Sequence, residues 1–306
     1  MDIEYLLWLQ NFREATGNIF TPFMLWVSSL EMWFFLAAIF VYWTVSKRKG
    51  LFIILAFCIS LFMNTVLKLI FCVYRPFVLD ERLTPLGYRP SSYSFPSGHA
   101  MSVTPVLGGL AVITRKKALW FAGICVLFVL LTALSRNYVG VHTPQDVIVG
   151  TLLGILSLWI ASVIVSHPER ENLSYILLLV ICAVCLYYIS TKSYPEKYDG
   201  ETLIAGPGSN LRYAFYDAGL IAGFISGRLI ERKHIDFSPS FSVKSAVVAC
   251  VGLVIYYALA FESSKYFVRF LTPFITVYGG NFVLGFVIML YVVALWPAVI
   301  KKVCGK

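Results

Sequence analysis

The stretch "LFIILAFCISLFMNTVLKLIFCV", residues 51–73, is a mostly apolar run that decides the class of fold. A helix of about 20 apolar residues is long enough to cross the hydrocarbon core of a bilayer. Comparable runs recur near 20–45, 99–114, 118–135, 145–166, 175–191, 213–230, 243–262 and 280–300. The pattern therefore predicts an all-α, polytopic integral membrane helical bundle of about nine spans.

The composition agrees with this prediction and narrows the classes of protein. The chain is 59% hydrophobic and only 13% charged, roughly half the charged fraction of a soluble domain. Most of the seven cysteines lie inside apolar runs, where cysteine behaves as a small buried hydrophobe. We therefore expect neither a disulfide framework nor a redox or metal role for the pair Cys182 and Cys185.

Positive charge predicts the orientation of the spans. One set of loops carries 14 of the 25 lysine and arginine residues, and the side richer in these residues faces the cytoplasm. The basic residues are dispersed between the spans, so no nucleic-acid partner is expected. The opposite, extracytoplasmic side carries three unusual polar clusters.

The first cluster is "KLIFCVYRP", residues 68–76. Lys68 and Arg75 are seven residues apart, so a continuous helix would present them on one face about two turns apart. Pro76 is expected to end that helix, because the residue before a proline avoids the α conformation. Two cations at this depth are costly without a partner or a function. The alternative is that they extend to the lipid headgroups.

The second cluster is "YSFPSGHAMS", residues 93–102. Pro96 and Gly98 favour a turn, and Ser97 is a suitable cap for the helix that follows. His99 lies in the first turn of that helix. The free N–H groups at a helix N-terminus favour binding of a phosphate. The alternative is an ordinary loop followed by a helix cap.

The third cluster is "SRNYVGVHTPQD", residues 135–146. Arg136 ends a span, and His142 lies four residues before Asp146. Thr143 and Asp146 have the positions of a helix cap and its acidic N3 residue, which is one role for that acid. The other is that the carboxylate accepts the Nδ1–H of His142 and raises the basicity of the ring.

Together the clusters supply the groups that phosphoryl transfer requires. Three cations and a helix N-terminus neutralise phosphate oxygens, one histidine can attack, and the other can protonate the leaving oxygen. The acidic residues on this side are scattered, so the sequence predicts no metal site.

The three motifs Lys68-x6-Arg75-Pro76, Pro96-Ser97-Gly98-His99 and Ser135-Arg136-x5-His142-x3-Asp146 resemble the signature of the type-2 phosphatidic acid phosphatase superfamily, over residues 20–165. The resemblance implies a helical core related to vanadium haloperoxidases. It also implies that His142 forms a phosphohistidine, that Asp146 orients it, and that His99 protonates the leaving oxygen and then activates water. The implied phosphate-binding residues are Lys68, Arg75, Ser97, Gly98 and Arg136. No cofactor is implied.

The expected organisation is an interfacial amphipathic helix at 1–18, a phosphatase core at 19–168 and an accessory transmembrane region of four helices at 169–306. The expected reaction is hydrolysis of a lipid phosphate or polyprenyl diphosphate at the extracytoplasmic face. The plasma (inner) membrane of a bacterium is the expected location, with membrane lipids as neighbours. A soluble substrate such as a hexose phosphate, lipid phosphotransfer, and a non-enzymatic lipid transporter or scramblase are the alternatives.

Three features of the second half extend these expectations. The connection at 192–212 is either a lid over the site or an ordinary exposed loop. Asp217 lies in an apolar stretch, so it is expected to pair with Arg212 or another polar group. The glycines at 219, 223 and 227 are spaced for close helix contact, either within the chain or in a homodimer.

Overall fold

The computed structural model describes residues 2–262 and 264–305 and is 77% helical. The helices of the first half are α1 Asp2–Ala15, α2 Thr21–Ser29, α3 Glu31–Thr44, α4 Lys47–Phe71, α5 Pro76–Leu79, α6 Gly98–Val103, α7 Gly109–Thr114, α8 Leu119–Tyr138 and α9 Pro144–Ser166. A π-helical turn, Thr104–Gly108, joins α6 to α7.

The second half is also helical apart from one short hairpin. Its elements are α10 Glu171–Thr191, β1 Lys197–Asp199, β2 Thr202–Ala205, α11 Gly208–Ile230, α12 Val243–Tyr257, α13 Ser264–Leu271, α14 Val277–Leu290 and α15 Trp296–Cys304. The two strands pair antiparallel. Helical turns of π type follow α11 and α12 and connect α14 to α15.

The architecture is that of an all-α polytopic membrane protein, as predicted. Within the described residues, seven helical stretches are long and apolar enough to cross a membrane, and the combined helix Gly98–Thr114 is shorter. The 23-residue helix α11 is not among the seven, since charged and amide side chains lower its hydropathy. The count of nine spans therefore stays a prediction.

Helix α4 lies at the centre of the bundle and packs against α3, α9 and α11. Most of its side chains are buried, including the polar residues Asn64, Thr65 and Lys68 near its end. Since α11 belongs to the second half of the chain, the two halves share this central helix.

Glycines allow α11 and α14 to approach each other at backbone distance. A Cβ at Gly219 or Gly223 would collide with the backbone of α14, and one at Gly285 would collide with the carbonyl of Tyr216. The glycine spacing is therefore used for packing within the chain. A homodimer stays a prediction that rests on none of these contacts.

The prediction that Lys68 and Arg75 share one helix face is wrong. Helix α4 ends at Phe71, and Cys72 adopts a left-handed conformation with φ +52°. Arg75 is extended, with φ −70° and ψ 152°, and precedes the short helix α5. Pro76 requires this extended conformation of the residue before it, and the chain leaves the helix one turn earlier to reach it.

Helix α1 packs on the loop that follows α5. Leu6 and Leu9 are buried in a small cluster with Leu83, and the Arg13 guanidinium donates to the carbonyl of Thr84 at 3.1 Å. The opposite face exposes Trp8 and other aromatic side chains. This two-sided arrangement suits a helix at the membrane interface, and that location stays a prediction.

Candidate active site

His142 lies in the loop between α8 and α9, and three polar groups surround its ring. Nδ1 is 3.2 Å from Oδ2 of Asp146 and 3.3 Å from Oγ of Ser94. Nε2 is 3.3 Å from Nη1 of Arg75. The side chain of Asn137 donates to the His142 carbonyl at 2.9 Å, so both the ring and the backbone of His142 are held in place.

The partners of the ring define its tautomer. A guanidinium can only donate hydrogen bonds, so Nε2 of His142 accepts from Arg75 and carries no proton. Nδ1 then carries the proton and donates it to Asp146. The lone pair of Nε2 is therefore on the side of the ring that faces the cation.

The charge environment keeps the ring of His142 neutral. Burial lowers its pKa well below the ordinary value, and the positive charges of Arg75, Lys68 and Arg136 lower the pKa further. A neutral imidazole is the nucleophilic form of histidine, so the surroundings that exclude a proton also preserve the reactive lone pair.

Asp146 has both of the roles that the sequence allowed. Its Oδ2 accepts from the backbone N–H of Thr143 at 2.9 Å, and Thr143 Oγ1 accepts in return from the N–H of Asp146, which forms a capping box. The same oxygen accepts from Ser94 Oγ at 2.6 Å and faces His142. Helix capping thus fixes the carboxylate that orients the ring.

Lys68 and Arg75 connect the motif loops to one another. Lys68 Nζ donates to the carbonyls of Tyr93 and Ser94 at 2.7 Å each. Arg75 donates through Nε to the carbonyl of Ser92 at 2.9 Å and through Nη1 to the carbonyl of Val141 at 3.1 Å. Both side chains are buried, so the cations are fixed beside His142.

The start of α6 contacts the start of α9. The N–H of Ser97 donates to the carbonyl of Asp146 at 2.9 Å, and Gly150 allows this approach, because a Cβ there would lie 2.9 Å from the Ser97 carbonyl. The expectation that the Ser97 side chain caps α6 is wrong, since no capping bond forms. Instead, Ser97 Oγ is buried and has no hydrogen-bond partner among the described residues.

His99 and Arg136 complete the set of sequence-predicted side chains. Nε2 of His99 lies 3.3 Å from Oε2 of Glu31, and both side chains are about one-third exposed. Arg136 Nη1 donates to Oγ of Ser28 at 3.1 Å. Its buried Nε has no partner among the described residues. A ligand oxygen would satisfy such unpaired buried polar atoms.

The connection at 192–212 packs against the motif loops. The Tyr93 N–H donates to Oδ1 of Asn210 at 3.1 Å, and the Tyr93 hydroxyl donates to the carbonyl of Pro195 at 2.6 Å. The N–H of Gly206 donates to the carbonyl of Ser91 at 2.9 Å. This connection therefore supports the loop that carries Ser94, and whether it also acts as a lid stays open.

Sequence reasoning missed three residues that contact the predicted site. Ser94 bonds Asp146, Glu31 pairs with His99, and Asn210 holds the loop through Tyr93. Two of them had a signal in the sequence: Glu31 is an acid within an apolar run, and Ser94 lies in the second cluster, two residues before Pro96. No feature of the sequence indicated Asn210.

No group of three or more His, Cys, Asp or Glu side chains in the described part of the chain is arranged to hold a metal ion.

Comparison with known proteins identifies the family. The PAP2 superfamily model matches residues 49–170, the region that contains all three motifs. The chain is a PAP2 superfamily member over this region. No solved structure matches the chain.

Curated relatives match part of this chain. The chain is 33% identical over 140 residues to an undecaprenyl-diphosphatase of Sulfolobus acidocaldarius, covering 46% of this chain and 66% of the relative. It is 26% identical to the bacitracin transport permease protein BcrC of Bacillus licheniformis, covering 46% and 69%. It is 35% identical to phosphatidylglycerophosphatase B of Bacillus subtilis, covering 35% and 53%. The alignments thus span between half and about two thirds of the relatives, and the remainder of this chain lies outside them.

Proposed function

We propose that the protein is an integral-membrane phosphatase that hydrolyses a lipid phosphate or a polyprenyl diphosphate through a phosphohistidine intermediate on His142. The observation that carries the proposal is the geometry around His142. Its Nδ1 faces Asp146, its Nε2 faces Arg75, and unpaired buried atoms of Ser97 and Arg136 lie on neighbouring elements of the same family region. The names of two relatives, an undecaprenyl-diphosphatase and a phosphatidylglycerophosphatase, support this substrate class.

In the first step, the Nε2 lone pair of His142 attacks the phosphorus atom, and the bond from phosphorus to the leaving oxygen breaks. Asp146 stabilises the positive charge that develops on the ring through Nδ1–H. His99 gives a proton to the leaving oxygen. Lys68, Arg75, Arg136, Ser97 and the N–H of Gly98 hold the other phosphate oxygens, whose charge spreads in the transition state.

In the second step, water attacks the phosphorus atom of the phosphohistidine. His99, now without its proton, takes one from the water, and the P–N bond breaks with its electron pair returning to Nε2. The products are inorganic phosphate and the dephosphorylated lipid, or the lipid monophosphate where the substrate is a diphosphate. Neither step uses a metal ion, because fixed cations neutralise the phosphate.

The proposed site faces the extracytoplasmic side of the plasma membrane. The loops that bear the three motifs alternate along the chain with the loops at 46–50, 115–117 and 167–170, which contain most of the basic residues of the first half. Since basic loops stay in the cytoplasm, the motif loops lie outside, at headgroup depth. Alkaline phosphatase fusions at the C-terminus, which should be cytoplasmic and therefore inactive, test this orientation.

The test of function is phosphate release by purified protein in detergent. The substrate panel is undecaprenyl diphosphate, phosphatidylglycerol phosphate, phosphatidic acid, a sphingoid-base phosphate and glucose 6-phosphate, each assayed beside His142→Ala. Release from a lipid substrate that the variant lacks supports the proposal. Preference for glucose 6-phosphate, or no release from any substrate by folded protein, contradicts it.

A further inference from the structure

A cavity of about 590 Å³ adjoins the proposed catalytic residues. Gly98, His99 and Glu31 line one part of it. Much of the remaining wall comes from α11, the end of α12 and the π-helical turn after it, which are outside the family region: Tyr213, Tyr216, Leu220, Tyr256 and Phe261. The accessory region, residues 169–306, therefore forms one side of this cavity beside the proposed catalytic residues.

The chemistry of the wall suits a neutral, apolar ligand. Apart from Glu31 and His99, the one acidic or basic side chain among the described lining residues is Asp217, and most of the others are apolar or aromatic. Asp217 is buried and accepts a hydrogen bond from Thr65 at 2.9 Å.

The lysine and arginine side chains of the proposed site lie outside this cavity. Lys68 and Arg75 are held among the motif loops beside His142 and do not line the cavity. Between this cavity and the motif loops, the cations are in the motif loops, so a molecule with one phosphate and one apolar chain would place its phosphate there. Its phosphate reaches the cations, and its chain lies in the cavity.

We propose that this cavity binds the hydrocarbon chain of the substrate, so that the accessory region selects substrates by their chain. The proposal rests on the proposed function, because the chain must belong to a molecule whose phosphate reaches His142. Burying a methylene group in such a cavity is worth about 0.8 kcal/mol, so even part of a chain contributes measurably to binding.

A second cavity offers room for longer chains. Its volume is about 1020 Å³, and Tyr213, Tyr216 and Phe261 line both cavities. Most of its other lining residues are apolar, and Arg212 and Arg269 also line it. A chain that exceeds the first cavity can continue past these three side chains into the second. The pair of cavities therefore favours long single chains over short ones.

Photo-crosslinking tests whether a hydrocarbon chain occupies the cavity, and it does not require turnover of the substrate. The wild-type protein is incubated with hexadecyl phosphate carrying a diazirine on the chain, irradiated, and mapped by mass spectrometry. Labels are expected on residues 213–220 and 256–261 and should be competed by unlabelled hexadecyl phosphate. Labels spread over the exposed faces of α9 and α10, without competition, would overturn the proposal.

Enzyme kinetics test whether the cavity selects substrates by the length of their chain. Tyr213 is 57% exposed, so Tyr213→Ala should fold, and Leu220→Trp fills the cavity. For each substrate kcat/KM is measured, and the value for hexadecyl phosphate is divided by the value for butyl phosphate. Each variant should lower this ratio by about tenfold, because it removes contacts with about one or two methylene groups of the long chain. The matched control is Tyr187→Ala, an aromatic residue on α10 that is 74% exposed and outside both cavities.

The outcomes separate the two proposals. An unchanged ratio in Tyr213→Ala contradicts the chain-binding role, even if Leu220→Trp does not fold. If the wild type hydrolyses neither alkyl phosphate nor any substrate of the phosphate-release panel, yet is labelled in the cavity, the proposed reaction fails and the binding site stands. If it hydrolyses both but is not labelled there, the reaction stands and the chain-binding proposal fails.

Discussion

The guanidinium of Arg75 lies 3.3 Å from Nε2 of His142, on the ring edge opposite the one that faces Asp146. The histidine is therefore held between a cation and an anion. Because the cation can only donate, the arrangement fixes a neutral ring with an unprotonated Nε2. A phosphate that takes over the hydrogen bond of Arg75 Nη1 leaves the Nε2 lone pair free to attack.

Replacing His142 by Ala should reduce phosphate release by several orders of magnitude, because the proposed nucleophile is removed. The matched control is His167→Ala, since His167 is an exposed histidine outside the proposed site, whose ring Nδ1 lies 2.9 Å from the carbonyl of Val163. That variant should keep wild-type activity. Near-normal turnover by folded His142→Ala would contradict the assignment of the nucleophile.

The activity should persist to lower pH than an ordinary histidine nucleophile allows. The pKa of His142 is lowered by burial and by the neighbouring cations, so the ring stays neutral as the pH falls through about 6.5, the usual value. The acid limb of kcat/KM, corrected for ionisation of the substrate phosphate, should therefore lie below that pH. An acid limb centred at or above 6.5 would contradict this.

The same pKa shift affects stability in a defined direction. Below about pH 6.5 the unfolded chain binds a proton at His142 that the folded protein does not. The free energy of unfolding should consequently fall with decreasing pH in this window, and the fall should be smaller in His142→Ala. Thermal unfolding of both proteins at pH 7 and pH 5 measures the difference.

Ser94→Ala should lower kcat by about tenfold to a hundredfold, comparable to the loss of a supporting hydrogen bond behind a catalytic group. The Ser94 hydroxyl donates to the oxygen of Asp146 that faces His142, so its loss leaves the carboxylate less well oriented. Ser91→Ala is the control, because the Ser91 contact to Gly206 uses the backbone carbonyl. KM should change little, since Ser94 is not assigned to the phosphate.

Activity should be unaffected by EDTA. Lys68, Arg75 and Arg136 are covalent parts of the chain, and they supply the charge neutralisation that a metal ion supplies in many phosphatases. The measurement is phosphate release after dialysis against EDTA, with and without added Mg²⁺. Activity that is lost on dialysis and restored by Mg²⁺ would refute the metal-free mechanism.

The amino-acid sequence predicted the class of fold and the capped start of α9, because both depend on local patterns. Long apolar runs give membrane helices, and a Thr-Pro-x-Asp start gives a capped helix, which α9 forms. The contact between His142 and Asp146 could also be predicted from the sequence, because the two residues are four positions apart at the start of that capped helix.

Longer-range relationships were not accessible from local patterns. The prediction that Asp217 pairs with Arg212 or a polar group of the bundle is confirmed in its second form, but no local pattern indicated that the donor is Thr65 of α4. The contact of Asn210 with the motif loop joins positions more than 100 residues apart. The left-handed turn at Cys72 also lacked a signal, because neither glycine nor asparagine marks it.

The pairing of His99 with Glu31 gives the last prediction. If His99 protonates the leaving oxygen, its loss should matter most where that oxygen is a strong base. His99→Ala should therefore lower kcat/KM for hexadecyl phosphate by at least about a hundredfold but should affect p-nitrophenyl phosphate far less, because nitrophenolate leaves without a proton. Glu31→Gln should show the same pattern more weakly, since the carboxylate holds the ring at 3.3 Å. Equal losses on both substrates would instead assign His99 to phosphate binding or to the attack of water, which do not depend on the leaving group.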